Sequence, residues 1–501
     1  MSLSATKSLD TLHSDEIELA SRVPLPPSTS TFFVSSEVSE SEFHSHGHPV
    51  NSDGNLATTA LRNLNKESVL PQVDGGFGAW SFLAAAFFVE AIVWGFPNAY
   101  GVFLDAYLQD ARYASQKGAA SLLPLIGTLS SGIIYCSGPV VNPIAARYPH
   151  LRRPSMWFGA VLCCATLFGA SYATRIFELL LLQGVFYAIG GSLLYAPCIS
   201  YMSEWFVARR GMANGILFAG TAVGGLVLPL ALPRLITSYG SSKTLRILAV
   251  SIATVLLLLL PLVKGRLPQT RVRVHGPMPR GGVGRRDWAR HKSFWIFLAV
   301  NTLQGFAYFV PIVYLPTFAR DLHLSSSNSA LTLAMLNAAS VIGRLSMGFL
   351  SDKVNPWILA LATLLTTSVT TFVIWGVYSH TFAGLLGFGI VYGIVAGGWS
   401  SLWTGFVRPF AKDDPATSTI LFGYLLLSRG IGNIISTPIS AKLYAQPHFN
   451  SIRGTENTGF DVGDGRFEKM IIYVGTCFAG AAGVAALGWG MEHRKAQYHR
   501  Q

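Results

Sequence analysis

Charged residues are scarce in this chain. Only 12% of its 501 residues are Asp, Glu, Lys or Arg, whereas 50% are hydrophobic. A soluble globular domain usually carries about 25% charged residues. The mean hydropathy is +0.42. This composition excludes an ordinary set of soluble domains and indicates a protein that keeps most of its length inside a membrane.

Cysteine is also scarce, and histidine is confined to tails and loop regions. The five cysteines all fall inside apolar stretches, which argues against a disulfide framework and against a zinc site. No Ser/His/Asp set and no Gly-rich nucleotide loop after a strand stands out. We therefore expect a protein that is not an enzyme or an ATP-driven pump, with no cofactor and no metal.

Long apolar stretches are abundant instead. They repeat in blocks of about 20 to 28 residues, long enough to cross a hydrocarbon core of about 30 Å as helices. We predict an all-α membrane protein with twelve transmembrane helices in two six-helix bundles, the architecture of many secondary transporters. The predicted spans are residues 78–104, 119–141, 155–174, 178–203, 211–235, 243–263, 293–318, 328–350, 355–377, 381–404, 417–441 and 470–490.

Polar segments divide the chain. Residues 1–76 hold ten acidic and four basic residues and predict a disordered acidic tail. Residues 264–292 form a central loop between the predicted bundles, 77–263 and 293–490, and residues 491–501 form a second tail. Loops on the side of the tails hold 20 Lys and Arg residues, about twice as many as loops on the other side. The positive-inside rule therefore places both tails and the central loop in the cytosol.

The central loop is itself basic, with nine Lys and Arg residues between positions 264 and 292. We interpret this charge as contact with anionic lipid rather than with nucleic acid. We expect a monomer in the plasma membrane, and a vacuolar or other internal membrane is the alternative.

Two loops carry copies of one pattern. Residues 348–353 read Gly-Phe-Leu-Ser-Asp-Lys, and residues 138–147 read Gly-Pro-Val-Val-Asn-Pro-Ile-Ala-Ala-Arg. A glycine lets two helices approach closely, and an Asp can cap a helix N-terminus. The pattern resembles the signature loop of the major facilitator superfamily. The resemblance implies loops that switch conformation during transport; the alternative is two ordinary charge clusters at the membrane edge. The implied residues are Gly348, Asp352 and Lys353 in one loop and Gly138, Asn142 and Arg147 in the other.

Four further motifs follow in order along the chain: residues 74–80 (Asp-Gly-Gly-Phe-Gly-Ala-Trp), 204–215 (Glu-Trp-Phe-Val-Ala-Arg-Arg-Gly-Met-Ala-Asn-Gly), 308–316 (Tyr-Phe-Val-Pro-Ile-Val-Tyr-Leu-Pro) and 343–344 (Gly-Arg). Together they resemble the monocarboxylate transporter family, especially its fungal branch. The resemblance spans residues 74 to about 490. It implies a carrier of carboxylates that works by alternating access.

The chain departs from that family at two charged positions. Proton-coupled lactate carriers place a Lys after a Phe-Pro pair in helix 1 and an Asp one turn before the Arg of helix 8. Asn98 and Ser340 stand at these positions here, while Arg344 is retained. We therefore do not expect the lysine–aspartate proton relay of lactate carriers.

Three ionisable residues lie well inside the predicted spans, where charge is costly and usually functional. Arg344 is the predicted ligand of a substrate carboxylate, because a guanidinium forms two parallel hydrogen bonds with it; the alternative is a structural pair with Glu90. Glu90 is the predicted proton carrier, and a permanent hydrogen bond to a neighbouring helix is its alternative. Arg429 lies among glycines, for which we favour a structural role.

Polar and aromatic residues extend the predicted binding site. Asn301, Gln304 and Tyr308 share one face of predicted helix 7, which should turn towards the bundle interior. In helix 10, Trp399 and Trp403 lie beside Gly397 and Gly398, and aromatic residues near such a small-residue kink can wall a site for a bulky apolar substrate. The alternative for Trp403 is an interfacial position. Residues 95–97, Gly-Phe-Pro, can break or bend helix 1 and bring Asn98 to the substrate.

These features predict a secondary active or facilitative carrier for a small, carboxylate-bearing organic anion. A second hypothesis is efflux of a larger, partly apolar secondary metabolite, which the missing charges and the Trp-rich helix 10 favour. A third is a nutrient sensor that keeps the fold without transporting.

Overall fold

The computed structural model describes residues 70–267, 286–412, 414–444 and 458–498. The predicted acidic tail up to residue 69, most of the central loop and the last three residues lie outside this part of the chain. Helices and turns make up the described residues, which contain no strand. This agrees with the all-α prediction.

Six helical segments form the first half. They are α1 (Gly76–Gln109), α2 (Ala119–Cys136 continued by Gly138–Arg147), α3 (Arg152–Ala170), α4 (Ile176–Trp205), α5 (210–239) and α6 (241–259). The last two are joined without a loop at Gly240, whose φ of 78° and ψ of 164° interrupt the helix. At 1.5 Å per residue, the 50 residues from Arg210 to Leu259 are about 75 Å long, enough for two membrane crossings.

The second half repeats the arrangement with α7 (Lys292–Asp321), α8 (Ser326–Ser351), α9 (Pro356–Tyr378), α10 (Phe382–Ala411), α11 (Pro415–Tyr444) and α12 (Glu468–Tyr498). By length and composition, nine described helices are candidate spans, or ten if the two parts of α2, bent by 41°, count as one. Dividing the long helix at Gly240 and including the 19-residue α3 gives twelve segments, as the sequence predicts.

Of the two expectations at Gly95-Phe96-Pro97, a break or a bend, helix α1 excludes the break, because it runs without interruption from Gly76 to Gln109. A proline cannot donate to the carbonyl four residues earlier, which here is Val93. The Tyr187 hydroxyl takes over this role and donates to the carbonyls of Ile92 at 3.0 Å and Val93 at 3.4 Å. Irregular turns lie elsewhere: π-helical in α4 and α9, and 3₁₀ at Gly398–Leu402 in α10.

Small residues let the helices of the two halves meet closely. A Cβ added to Gly215 of α5 would lie 2.6 Å from the carbonyl oxygen of Arg344 in α8, and one added to Gly138 of α2 would lie 2.7 Å from the carbonyl oxygen of Gly423 in α11. These two helix pairs, α5 with α8 and α2 with α11, join the halves around a central cavity.

Candidate functional site

A cavity lies between the two halves, with about 590 Å³ of atom-free space that includes volume continuous with solvent. Helices α1, α2, α4 and α5 line it from the first half, and α7, α8, α10 and α11 from the second. The lining residues are Glu90, Trp94, Asn98, Tyr135, Tyr195, Phe218 and Thr221 on one side, and Tyr308, Phe309, Ile312, Asn337, Arg344, Ser400, Trp403, Leu426 and Arg429 on the other.

The three ionisable residues of the predicted spans all line this cavity. Glu90, Arg344 and Arg429 are 2%, 7% and 3% exposed. Within the described part of the chain no ion pair joins any of them to a partner, since the recorded pairs are Arg112–Asp110 and Arg152–Glu204. The suggested Arg344–Glu90 pair is therefore absent at ion-pair distance. The cavity contains more cationic than anionic groups.

Glu90 is held by α5. Its Oε1 accepts a hydrogen bond from the Thr221 hydroxyl at 2.8 Å, and its buried Oε2 has no hydrogen-bond partner among the described residues. One oxygen of the carboxyl is thus fixed, and the other is available to a proton or a ligand.

Arg344 contacts both halves of the protein. Its Nε donates to the carbonyl oxygen of Gly397 in α10 at 3.2 Å, and its Nη1 donates to the carbonyl oxygen of Phe218 in α5 of the other half. Backbone carbonyls therefore already occupy two of its nitrogen donors.

Arg429 has a different environment. Its guanidinium carbon lies 4.4 Å from the ring centre of Tyr308, 5.5 Å from that of Phe309 and 5.9 Å from that of Trp403. Its buried Nε and Nη1 have no hydrogen-bond acceptor in the described ranges. We favoured a structural role for this residue from the sequence, and the structure places it in the cavity wall.

The cavity wall also includes two of the other predicted substrate ligands. Tyr308 is buried beside Arg429, and half-buried Asn98 lies near Gly225 and Asn337, whose amide donates to the Gly225 carbonyl at 3.2 Å.

Three predicted ligands, Asn301, Gln304 and Trp399, are buried behind the wall and do not line the cavity. Asn301 accepts from the indole nitrogens of Trp399 at 2.7 Å and Trp403 at 3.1 Å, and donates to the Ser428 hydroxyl at 2.6 Å. The helical periodicity of α7 indicates that this face points into the bundle. It does not distinguish residues that line the cavity from residues that pack behind them.

Several further aromatic residues line the wall. The rings of Trp94 and Tyr135 are 4.4 Å apart, those of Trp94 and Tyr195 are 6.0 Å apart, and Tyr135 lies 5.9 Å from Phe309 across the interface. Sequence reasoning missed these residues. Trp94 lies four residues after Glu90 and four before Asn98, so the sequence places it on the same helical face as those two residues. No comparable pattern in the sequence indicates Tyr135 or Tyr195.

The predicted switch loops connect the two halves at one end of the bundle, which we call the closed end. Asp352 accepts hydrogen bonds from the backbone N–H groups of Gly211 and Met212 at the start of α5, both at 2.9 Å, and Gly348 packs against the same turn. At the equivalent point Asn142 donates to the Thr419 carbonyl of α11 at 3.0 Å, beside the close Gly138–Gly423 contact. The basic residues Lys353 and Arg147 instead stack on Phe349 and Tyr148.

The motif at residues 74–80 docks on the motif at 204–215. The Asp74 carboxylate accepts hydrogen bonds from the backbone N–H groups of Val207, Ala208 and Arg209 at 2.9 to 3.0 Å. Next to it, Glu204 forms a buried ion pair with Arg152 of α3. Two motifs that are distant in sequence thus form one structural unit beside the Asp352 contact.

Two helical halves around a central cavity that contains three ionisable groups, with paired loops joining the halves at one end, define a membrane carrier. The chain belongs to the Major Facilitator Superfamily, which residues 82–437 match. It is therefore a multi-pass integral membrane protein that transports small molecules and is not an enzyme.

Curated relatives are transporters of the same superfamily, and solved structures of that superfamily have the same fold. The chain is 29% identical to "MFS-type transporter 1" of Ophiocordyceps sp. (strain BCC 1869), over 74% of this chain and 80% of the relative. It is also 29% identical to the "Fujikurins efflux protein" of Gibberella fujikuroi, over 66% and 68% respectively. The proton:xylose symporter XylE has the same fold, with a TM-score of 0.59 and 15% identity over 81% of this chain and 94% of that one.

Proposed function

We propose that this carrier moves an organic anion with an aromatic or apolar body, together with a proton, and that it exports the anion when it accumulates in the cytosol. The observation that carries the proposal is the excess of cationic over anionic groups in the cavity, where Arg429 has no carboxylate partner and no acceptor for its buried Nε and Nη1 among the described residues. A buried cation requires a compensating anion, and the substrate supplies it during transport. A carboxylate or enolate fits a guanidinium by two parallel hydrogen bonds.

The wall chemistry supports a substrate with a sizeable body. Trp94, Tyr135, Phe309 and Trp403 offer ring faces and edges to a planar or apolar group. The relative named as a fujikurins efflux protein is consistent with this direction of transport.

A second candidate is carriage of a small monocarboxylate, as expected for the monocarboxylate branch. The specific feature that favours it is the retained Arg344 in the cavity wall. The aromatic lining and the uncharged Asn98 and Ser340 favour the larger substrate.

Proton coupling through Glu90 follows from the charges in the cavity. A bound anion repels the Glu90 carboxylate and favours its protonated form, so anion and proton bind together. The product's own concentration gradient then drives its exit with a proton. We propose that the closed end, with both tails and the central loop, faces the cytosol, as the loop charges indicate.

Transport by the purified protein in liposomes tests this function. We expect an imposed pH gradient, acidic outside, to drive accumulation of an aromatic carboxylate such as 1-naphthoate, and to drive it less in liposomes that contain the Glu90→Gln variant. Wild-type protein that exchanges 1-naphthoate but ignores the gradient would show a facilitator, and no exchange at all would contradict the proposed substrate class.

A further inference from the structure

We propose that the two cavity arginines have separate tasks: Arg429 binds the anionic group of the substrate, and Arg344 latches the two halves together at the closed end. This inference rests on the proposed function for its ligand, whereas the latch is independent of any ligand. It reverses the roles that sequence reasoning favours for the two residues.

Arg344 is already engaged in this conformation. One guanidinium nitrogen bonds to Gly397 within its own half, and another bonds to the carbonyl of Phe218 in the other half. The backbone of Arg344 also packs against Gly215, one turn before Phe218. When the halves separate at the closed end, α5 moves away from α8, and the Arg344–Phe218 bond must break. A charge-assisted bond that exists in one conformation stabilises that conformation.

Arg429 lacks such partners. Its Nε and Nη1 are buried without an acceptor among the described residues, a condition that is costly for a guanidinium. The faces of Tyr308, Phe309 and Trp403 stabilise its charge but accept no strong hydrogen bond. An entering carboxylate or enolate can satisfy these donors.

The surroundings of Arg429 also define its ligand. Rings packed around the guanidinium leave the anionic group next to aromatic surface. A carboxylate attached directly to a planar ring places its charge on Arg429 and its ring against Trp403 or Phe309. Behind them, Asn301 bonds to Trp403 and to Ser428, the neighbour of Arg429, and so fixes both groups.

The latch is tested without substrate. Spin labels on cysteines placed at exposed His150 of the first half and Arg408 of the second, in a background free of native cysteine, report the distance across the closed end. We expect Arg344→Gln to raise the fraction of long distances by about tenfold, the effect of losing one hydrogen bond to a charged group. Arg429→Gln and the exposed control Arg320→Gln should keep the wild-type distribution. An unchanged distribution for Arg344→Gln would overturn the latch.

The ligand role is tested by binding of 1-naphthoate and its uncharged analogue 1-naphthamide to the purified full-length protein. We expect Arg429→Gln to weaken naphthoate binding by about 100-fold, as removal of one partner of a buried charge pair does, and Arg344→Gln to change it by less than about threefold. The reverse ranking would overturn the assignment while leaving the proposed function intact. If wild-type protein binds naphthoate no better than naphthamide, both the proposed function and Arg429 as its ligand fail, and the distance measurement still judges the latch.

Discussion

The two halves of this transporter share a fold but present different chemistry to the cavity. The first half contributes a carboxyl group, Glu90, with the indole nitrogen of Trp94 and the hydroxyl of Tyr195 as buried donors without partners in the described chain. The second half contributes the two guanidinium groups. We infer that the two similar halves rock against each other during transport. The residues that differ between the halves in the cavity then determine which substrate is bound. We therefore assign proton handling to the first half and anion binding to the second.

Removing the unpaired cation of the second half should have the largest effect. Arg429→Gln is expected to lower the transport efficiency for 1-naphthoate by about 100-fold, since a buried charge pair loses one partner. Arg429→Lys keeps the charge but lacks the planar guanidinium fork, so it should retain only part of the wild-type transport efficiency. The measurement is initial uptake into proteoliposomes with equal amounts of inserted protein. Wild-type efficiency in the Gln variant would remove Arg429 from the site.

Neutralising the first half should change coupling rather than binding. Glu90→Gln resembles the protonated acid, so exchange of labelled naphthoate should persist. Accumulation driven by one pH unit should fall from about tenfold, the value of one proton per anion, to none. Thr221→Val, which removes the hydroxyl that bonds to Glu90, should leave coupling partly intact. A Gln variant that still accumulates substrate would make Glu90 a structural residue.

The two loops at the closed end differ as the two cavity walls do. Asp352 accepts two hydrogen bonds as a carboxylate at the start of a helix, whereas Asn142 makes one neutral bond. Asp352→Ala should therefore raise the fraction open at this end by about tenfold or more, and Asn142→Ala by about threefold. The spin-label distance between residues 150 and 408 measures both variants. Equal effects would show that the close glycine contacts, rather than these bonds, hold the end closed.

The smallest predicted effect concerns the unpartnered indole of the first half. Trp94→Phe keeps a ring in the wall and removes its N–H donor. We expect KM for 1-naphthoate to change by less than about threefold, because its carboxylate lies on the opposite wall. For a substrate that bears an additional hydrogen-bond acceptor, we expect Trp94→Phe to raise KM by more than this. A loss for naphthoate as large as that of Arg429→Gln would place the anion on the first half instead.

The sequence was sufficient for the fold because hydrophobic length, loop charge and the repeated signature loop are local signals. Twelve segments and the paired loops follow from them, and the inward position of Glu90 and Arg344 follows from the cost of placing charge in lipid. At Pro97 a break did not occur: α1 is continuous, and the hydroxyl of Tyr187, 90 positions from Pro97, donates to the neighbouring carbonyls of Ile92 and Val93. No local pattern contains that contact.

The site was only partly predictable for the same reason. Asn301 and Tyr308 lie on one helical face, yet Tyr308 lines the cavity while Asn301 is occupied by two tryptophans from α10. The sequence predicts both Arg344 and Arg429 to be buried arginines. Their different bonding, one held by backbone carbonyls and one among aromatic rings, depends on how α5 and α7 pack against them.

The selectivity of wild-type protein for charge tests the central claim most directly. Proteoliposomes preloaded with unlabelled 1-naphthoate or with 1-naphthamide are supplied with the same compound in labelled form outside, and counterflow is followed. The account predicts transient accumulation of the carboxylate at least about tenfold above that of the amide, because Arg429 pairs with the carboxylate and not with the amide. Equal counterflow of both compounds would contradict it.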